Sequence, residues 1–432
     1  MPCEELVAQA APAAGRGLDV ERLRADFPNL RRRVNGRRLV YLDSANTSQT
    51  PDQVVAAMGR HHRRHTSNVG RSVNTLALEA TAAYEAARAR VADFVGAASG
   101  EIVFAKNSTE AINLVAHAFG PGGTGGFDDP RLRLGPGDEV LVTEMEHHSN
   151  LIPWLLLCER TGARLRWIPL TGDGLLDLSD LDRLLNERTR LVTFVHVSNI
   201  LGTVNPVEPI VRRAREVGAL VLLDASQSVP HMPVDVAALG VDLMAFTGHK
   251  MCGPTGIGAL WGRRELLRAM PPFLGGGSMI DAVSMTGATY APPPARFEAG
   301  TPPIVQAVGL GAAVDYLDAA GMDAVREHGR DLTERALDGL ASVPGLRLFG
   351  PPDARRRGGL VSFALDGIGH DDAGKVLDAE GVQVRVGRHC ATPVCTRYGV
   401  PSMIRASFHL YTTGEEIDAL VAAIRKVRHV LG

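Results

Sequence analysis

Lysine is scarce in this chain, and one of its four copies, Lys250, sits where an apolar run ends in "DLMAFTGHKMCGPTGIGAL", residues 242–260. The others are Lys106, Lys375 and Lys426, against 42 arginines. A sequence that carries its surface charge on arginine does not need lysine for that task. An amine, unlike a guanidinium, can lose its proton near neutral pH. Lys250 is therefore read as a candidate for amine chemistry, against the simpler reading of a polar residue that closes a strand and points at water. Three further stretches hold groups that complement an amine. In "LVLLDASQS", Asp224 closes an apolar strand pattern and Gln227 follows three residues on. A carboxylate there is costly unless a cation or proton donor meets it; the alternative is an Asp closing a turn. In "FAKNSTEAINL", Ser108 and Thr109 stand where a strand gives way to a helix, with Glu110 in the first turn. Hydroxyls and backbone N–H groups at a helix start can hold a phosphate, although a plain N-cap needs only one of those hydroxyls. In "TEMEHHSN", His147 and His148 follow a strand pattern. No third or fourth ligand stands at metal-binding spacing, and adjacent side chains diverge. One imidazole lying flat on an aromatic ligand is the better fit.

An amine, a carboxylate, a phosphate site and a flat ring, all at strand ends, together describe pyridoxal 5′-phosphate. Its aldehyde condenses with a lysine, its ring nitrogen needs an acid partner, and its phosphate needs donors. Asp224 and Lys250 are separated by one strand-helix-strand step, so both are expected at one edge of a sheet.

The elements that must position these groups are legible as patterns. Strands are expected at 101–105, 139–143, 164–169, 190–197, 219–224, 243–247 and 256–261, several apolar on both faces. Helices are expected at 75–95, 109–118, 149–160 and 206–217, the last with Gly218 just beyond it. The alternation implies an α/β fold: a mostly parallel seven-stranded sheet with helices on both faces, plus a smaller α+β C-terminal domain. Residues 120–137 read as a surface loop, and the proline- and glycine-rich 271–303 as an irregular connection. The start, "MPCEELVAQAAPAAGRG", reads as a disordered tail rather than a signal peptide, which implies a cytoplasmic protein. With 432 residues, 45% hydrophobic and 22% charged, the chain has ample core. A net charge of −2 gives no case for nucleic acid or an anionic membrane. No apolar window is long enough to span a bilayer. The five cysteines (Cys3, Cys158, Cys252, Cys390, Cys395) are too few and scattered for a disulfide framework.

The stretches "YLDSANTSQTP", "NSTEAINLVA", "EMEHHSNLIPW", "HVSNILGTVNP", "DASQSVPHMPVD", "GHKMCGPTGIG", "RFEAGTP", "VRVGRHCATP" and "RASFHLYTT" run in family order from about residue 20 to the C-terminus. The chain resembles the class V aminotransferases, of fold-type I, and within them the SufS-type (group II) cysteine desulfurases. The resemblance implies domains at 19–308 (cofactor-binding, its N-terminal segment packing on the small domain) and 309–432 (carrying the Cys390 loop), after a tail at 1–18. It implies that Lys250 bonds the cofactor aldehyde, that Asp224 partners the ring nitrogen, and that Gln227 contacts the phenolic oxygen. His147 would stack on the ring. Thr109, Thr247 and His249, with Ser108 beside them, would hold the phosphate, joined by Thr301 from the neighbouring subunit of a homodimer. Asn199 and Arg405 would hold the substrate carboxylate, with Arg385 assisting. Cys390 would take sulfur from L-cysteine, leaving alanine and a persulfide for iron–sulfur or thio-cofactor assembly through an acceptor protein. Arg388 and His389 are expected to favour its thiolate as neighbouring cations. No metal is implied.

The chain departs from the family's usual residues at several places. Arg388 replaces the first of two histidines before the cysteine, and Gly70, Ser72 and Asn74 replace two histidines and a glycine. Asn46 and Ser149 each stand where alanine is usual, and Cys395 is not a family feature. These departures keep open a selenocysteine lyase or a relative acting on a specialised metabolite. A catalytically silent scaffold is the reading from a different class.

Overall fold

The computed structural model describes residues 17–70, 73–120 and 127–432. Most of the expected tail, Ser72, and part of the loop expected at 120–137 lie outside the described residues. Seven strands form the main sheet: β1 (Ile102–Ala105), β2 (Glu139–Thr143), β3 (Arg164–Ile168), β4 (Thr189–Val195), β5 (Leu220–Asp224), β6 (Leu243–Thr247) and β7 (Gly258–Gly262). Their order is β1-β7-β6-β5-β4-β2-β3. Strands β2 to β6 run parallel, while β7 is antiparallel to both neighbours, so β1 points the same way as β6. All seven expected strands are present, and the sheet is mostly parallel as read.

Apart from the edge strand β3, successive residues of the strands enter two different cores. Phe104, Phe194, Leu223 and Phe246 pack on one face beneath helices that include α2 (Thr75–Phe94) and α5 (Val207–Glu216), α1 (Asp52–Arg64) preceding them in the chain. Val103, Val142, Leu222 and Ala245 pack on the other, beneath α3 (Ser108–Ala118) and α4 (Ile152–Thr161). Burial on both faces explains why these strands are apolar throughout rather than alternating. Helix α4 begins later than its expected start because a 3₁₀ turn, His148–Asn150, precedes it. The stretch 271–303 is less irregular than expected: Ile280–Ser284 and Gly287–Tyr290 pair as a hairpin. Neither face of it is buried, so its sequence carries no apolar alternation to read.

A second, antiparallel sheet is built from β8 (Leu346–Phe349), β9 (Leu360–Leu365), β10 (Arg385–Gly387) and β11 (Met403–Ser407), in the order β8-β9-β11-β10. Its core (Leu332, Phe363, Leu377, Ile404, Ile424) also takes in Leu42 from near the N-terminus. Val40–Tyr41 pairs in parallel with Val382–Gln383, which ties that early segment to this part of the molecule. The C-terminal ends of β1, β2, β4, β5 and β6 thus share one edge, and β10 and β11 bring their arginines to it. Ligands of open α/β sheets bind at that edge.

Candidate active site

A cavity of about 240 Å³ opens there. Of the site residues expected from sequence, twelve line it: Ser108, Thr109, His147, Asn199, Asp224, Gln227, Thr247, His249, Lys250, Arg385, Cys390 and Arg405; the unusual Asn46 and Ser149 line it too. Thr301 does not line the cavity; it is exposed, just before the helix Ile304–Ala320.

One end is built by the β1–α3 junction. Asn107, not a hydroxyl, caps α3: its Oδ1 accepts from the Glu110 N–H at 3.0 Å. The plain-cap reading of Ser108 and Thr109 therefore fails, and both hydroxyls are released from that duty. Gly258 of β7 lets this loop lie close, because a Cβ there would stand 2.8 Å from the Asn107 Cα. Thr109 Oγ1 and Ser149 Oγ are 2.7 Å apart. Across from them the Thr247 hydroxyl is buried without a hydrogen-bond partner among the described residues. Free hydroxyls beside a helix start suit an anionic group.

The middle is built by β5, β6 and the turn after β2. Asp224 ends β5, in register with Ala245 of parallel β6, and Lys250 lies one 3₁₀ turn beyond that strand. Asp224 Oδ1 accepts from the Ser226 N–H at 3.0 Å and its hydroxyl at 2.6 Å, which leaves Oδ2 without a donor among the described residues. The Lys250 side chain is half-buried and lines the cavity. Burial lowers its pKa to about 8, with Arg405 and Arg385 adding to the effect and Asp224 opposing it. Some of this amine is therefore neutral near physiological pH. His147 is pushed down to about 3, chiefly by burial and then by Lys250, so its ring is uncharged. The Ser149 N–H donates to His147 Nδ1 at 3.1 Å, which leaves the ring proton on Nε2. Gln227 Nε2 donates to the Ala45 carbonyl at 2.7 Å.

The far wall belongs to the thiol loop and the arginines. His389 and Cys390 have φ of 49° and 55°, a left-handed conformation that ordinary side chains seldom adopt. The loop is fastened from the main-sheet side: Asn199 Nδ2 donates to the His389 carbonyl and the His148 N–H to the Cys390 carbonyl, each at 2.7 Å. His148 Nε2 also accepts from the Thr392 N–H at 3.2 Å. The adjacent histidines thus divide as expected: His147 faces the cavity, while His148 holds the loop. Of the two cations expected beside the thiol, His389 is corrected. His389 is 2% exposed, and burial lowers its pKa to about 3, so it carries no charge near neutrality. Arg388 is exposed and donates to the Pro401 carbonyl. The cations sharing the cavity with Cys390 are Lys250, Arg385 and Arg405. Arg405 is fully buried; its Nη1 donates to the Asn199 carbonyl at 2.8 Å and its Nη2 to Asp43 Oδ1 at 3.0 Å. Cys395 is buried, with its thiol pKa pushed up by burial, and does not line the cavity.

Two groups escaped the sequence reading. Glu146, 1% exposed, bonds the Val195 N–H, Thr143 and Asn150, and so ties the His147 turn to β4. Its pKa is raised to about 8 by burial. Asp43 is the partner of Arg405. The signal for Glu146 was an acid placed between a strand end and Asn150; for Asp43 there was none, because its partner is 362 positions away.

The polar atoms left open test the fit of pyridoxal phosphate. Thr247 Oγ1, Asn199 Oδ1 and Arg405 Nε are buried and unpartnered among the described residues, and all three residues line this one cavity. Each such atom costs about 1–3 kcal/mol if nothing meets it. A phosphate would accept from Thr247 Oγ1, a substrate carboxylate would accept from Arg405 Nε, and a protonated pyridine nitrogen would donate to Asp224 Oδ2, so these residues fit the cofactor.

Residues 40–420 match the family profile described as aminotransferase class-V. A probable cysteine desulfurase of Streptomyces coelicolor is 58% identical over 417 residues, covering 96% of this chain and 98% of that protein. A solved cysteine desulfurase, CsdA of Escherichia coli, is 38% identical with a TM-score of 0.86, covering 96% of this chain and 100% of that one. A solved C-DES protein with glycine covalently linked to its PLP cofactor is 25% identical, with a TM-score of 0.78, covering 93% of this chain and 98% of that one.

Proposed function

The chain belongs to the class V aminotransferase family and acts as a cysteine desulfurase, and from that premise we propose that it is of the SufS type and passes sulfur through Cys390. It is a fold-type I enzyme that uses pyridoxal 5′-phosphate. In our reading Ser108, Thr109, Thr247 and His249 hold the phosphate, Asp224 the ring nitrogen, Gln227 the phenolic oxygen, and His147 lies against the ring. The bound cofactor supplies an electron sink conjugated with the substrate α-carbon.

The chain's own residues do the rest. Arg405 and Asn199, with Arg385, bind the carboxylate of L-cysteine, a planar guanidinium meeting a carboxylate by two parallel bonds. The depressed pKa of Lys250 suits an amine that removes a proton and returns it. The Cys390 thiolate then attacks the substrate sulfur. A sulfur–sulfur bond forms, the substrate Cβ–S bond breaks, and the carbon fragment keeps the electron pair and takes a proton to become alanine. Delivery to iron–sulfur or thio-cofactor assembly, through an acceptor protein, completes the reading. A homodimer belongs to it as well: Thr301 is exposed and outside its own cavity, as a residue serving a neighbour's phosphate would be. We divide the chain at about residue 308, within the helix Ile304–Ala320, so the two parts join through continuous helix rather than a flexible linker.

The observation that carries this reading is that Cys390 and Lys250 line one cavity. The test is Cys390→Ser. The expected protein keeps its visible cofactor absorbance yet makes sulfide from L-cysteine at least about a hundredfold more slowly. Normal sulfide release would remove Cys390 from the reaction.

A further inference from the structure

The side chain of Asn46 connects the two guanidiniums of the site. Its Oδ1 accepts from Arg385 Nη1 at 2.5 Å, and its Nδ2 donates to Asp43 Oδ2 at 3.1 Å. The other oxygen of Asp43 accepts from Arg405 Nη2 at 3.0 Å. One chain of bonds therefore runs Arg385–Asn46–Asp43–Arg405 and joins β10 and β11 to the turn after Leu42. The charges along it are unequal. Arg405 has Asp43 as an ion-pair partner, whereas Arg385 has no carboxylate partner among the described residues. Its hydrogen bond is to a neutral amide oxygen.

That difference has a physical consequence. A carboxylate in place of the amide would both orient Arg385 and cancel its charge. An alanine would do neither, and would leave a long, rotatable side chain to be ordered when the ligand arrives. An amide orients the guanidinium and leaves its charge available. We propose that Asn46 is a positioning and specificity-determining residue. It holds Arg385 as the uncompensated half of a two-arginine site for the carboxylate of a free amino acid. The site thereby selects substrates with a free α-carboxylate over thiols or amines that lack one. The identity of the amino acid rests on the desulfurase reading; the carboxylate site does not.

The test uses the holoenzyme and the variants Asn46→Ala and Asn46→Asp. Asn46 is exposed, so both variants are expected to fold. Two quantities are read: KM and kcat for alanine formation from L-cysteine, and calorimetric affinity for propionate, a carboxylate with neither amine nor thiol. Asn46→Ala should raise KM roughly tenfold with little change in kcat, and weaken propionate equally. Asn46→Asp has the same shape but neutralises Arg385, and should be worse than Asn46→Ala in both. A merely structural role would act through the bond to Asp43, which both variants lose, and predicts KM and propionate affinities that do not separate Asn46→Asp from Asn46→Ala; that result would overturn the proposal. So would unchanged KM and propionate affinity in both variants, or a loss confined to kcat. Should the wild-type enzyme make no alanine from L-cysteine, the desulfurase reading falls, while the propionate series still decides on Asn46.

Discussion

Lys250 and Cys390 face the same space from backbones of opposite kinds. Lys250 follows β6, an interior strand bonded on one side to β5 and on the other to β7. Its turn is fixed further by Thr47, whose hydroxyl donates to the His249 carbonyl at 3.0 Å. Cys390 rides a loop with two consecutive left-handed residues, each costing about 1–2 kcal/mol. That loop is held by Asn199 and His148, which lie outside it. The difference suits the two tasks proposed for these residues. A group that moves a proton must stay within a fraction of an ångström of one atom, so it sits on a rigid element. A group that carries an atom away must be able to leave, so it sits on a strained segment kept in place by bonds that can break.

The largest effect should come from the rigid side. Lys250→Ala is expected to lower alanine formation from L-cysteine by about 10³–10⁴-fold. Borohydride treatment followed by mass spectrometry should then find no cofactor attached to the chain. Retained attachment would mean that another amine does this work, and the contrast between the two sides would lose its basis. Asp224→Ala comes next, with an expected loss of about 10²–10³-fold in kcat because a charge at the ring is no longer stabilised. A loss of only a fewfold would make Asp224 a structural cap for the Ser226 turn. The smallest effect should come from the loop. Between pH 6.5 and about 3 the unfolded chain takes up a proton on His389 that the folded loop refuses. Stability is therefore lost as pH falls through that window, by up to about 1.4 kcal/mol per pH unit from this group. Replacing it in His389→Gln should flatten the fall of the urea midpoint between pH 6.5 and 5 by about that amount. An identical slope in the variant would show the imidazole to be charged in the native loop.

The two sides also differed in how far they could be read from sequence. Asp224 and Lys250 were legible because a strand buried on both faces is a continuous apolar run, and whatever polar group ends it is conspicuous. The division of labour between His147 and His148 was legible as a rule about adjacent side chains, and the family resemblance named His147 as the ring facing the site; the hold of His148 on the thiol loop was not legible. The Asn107 cap was missed because a hydroxyl and an amide one position apart offer the same local signal. The uncharged state of His389 could not be read, since burial is a property of the packed chain. The bonds made by Asn46 and Ser149 span 339 and 40 positions, and no local pattern reports a contact at that range.

Sulfur in this chain is unevenly shielded. Cys158, Cys252 and Cys395 are buried, and burial holds each thiol's pKa above its ordinary value. Among the described residues, that leaves Cys390 as the one thiol within reach of a small electrophile from solvent. If sulfur passes through Cys390 as proposed, a cell under alkylating stress would lose its delivery while the folded enzyme survived. A reagent added in limiting amount would consume this thiol ahead of the three shielded ones.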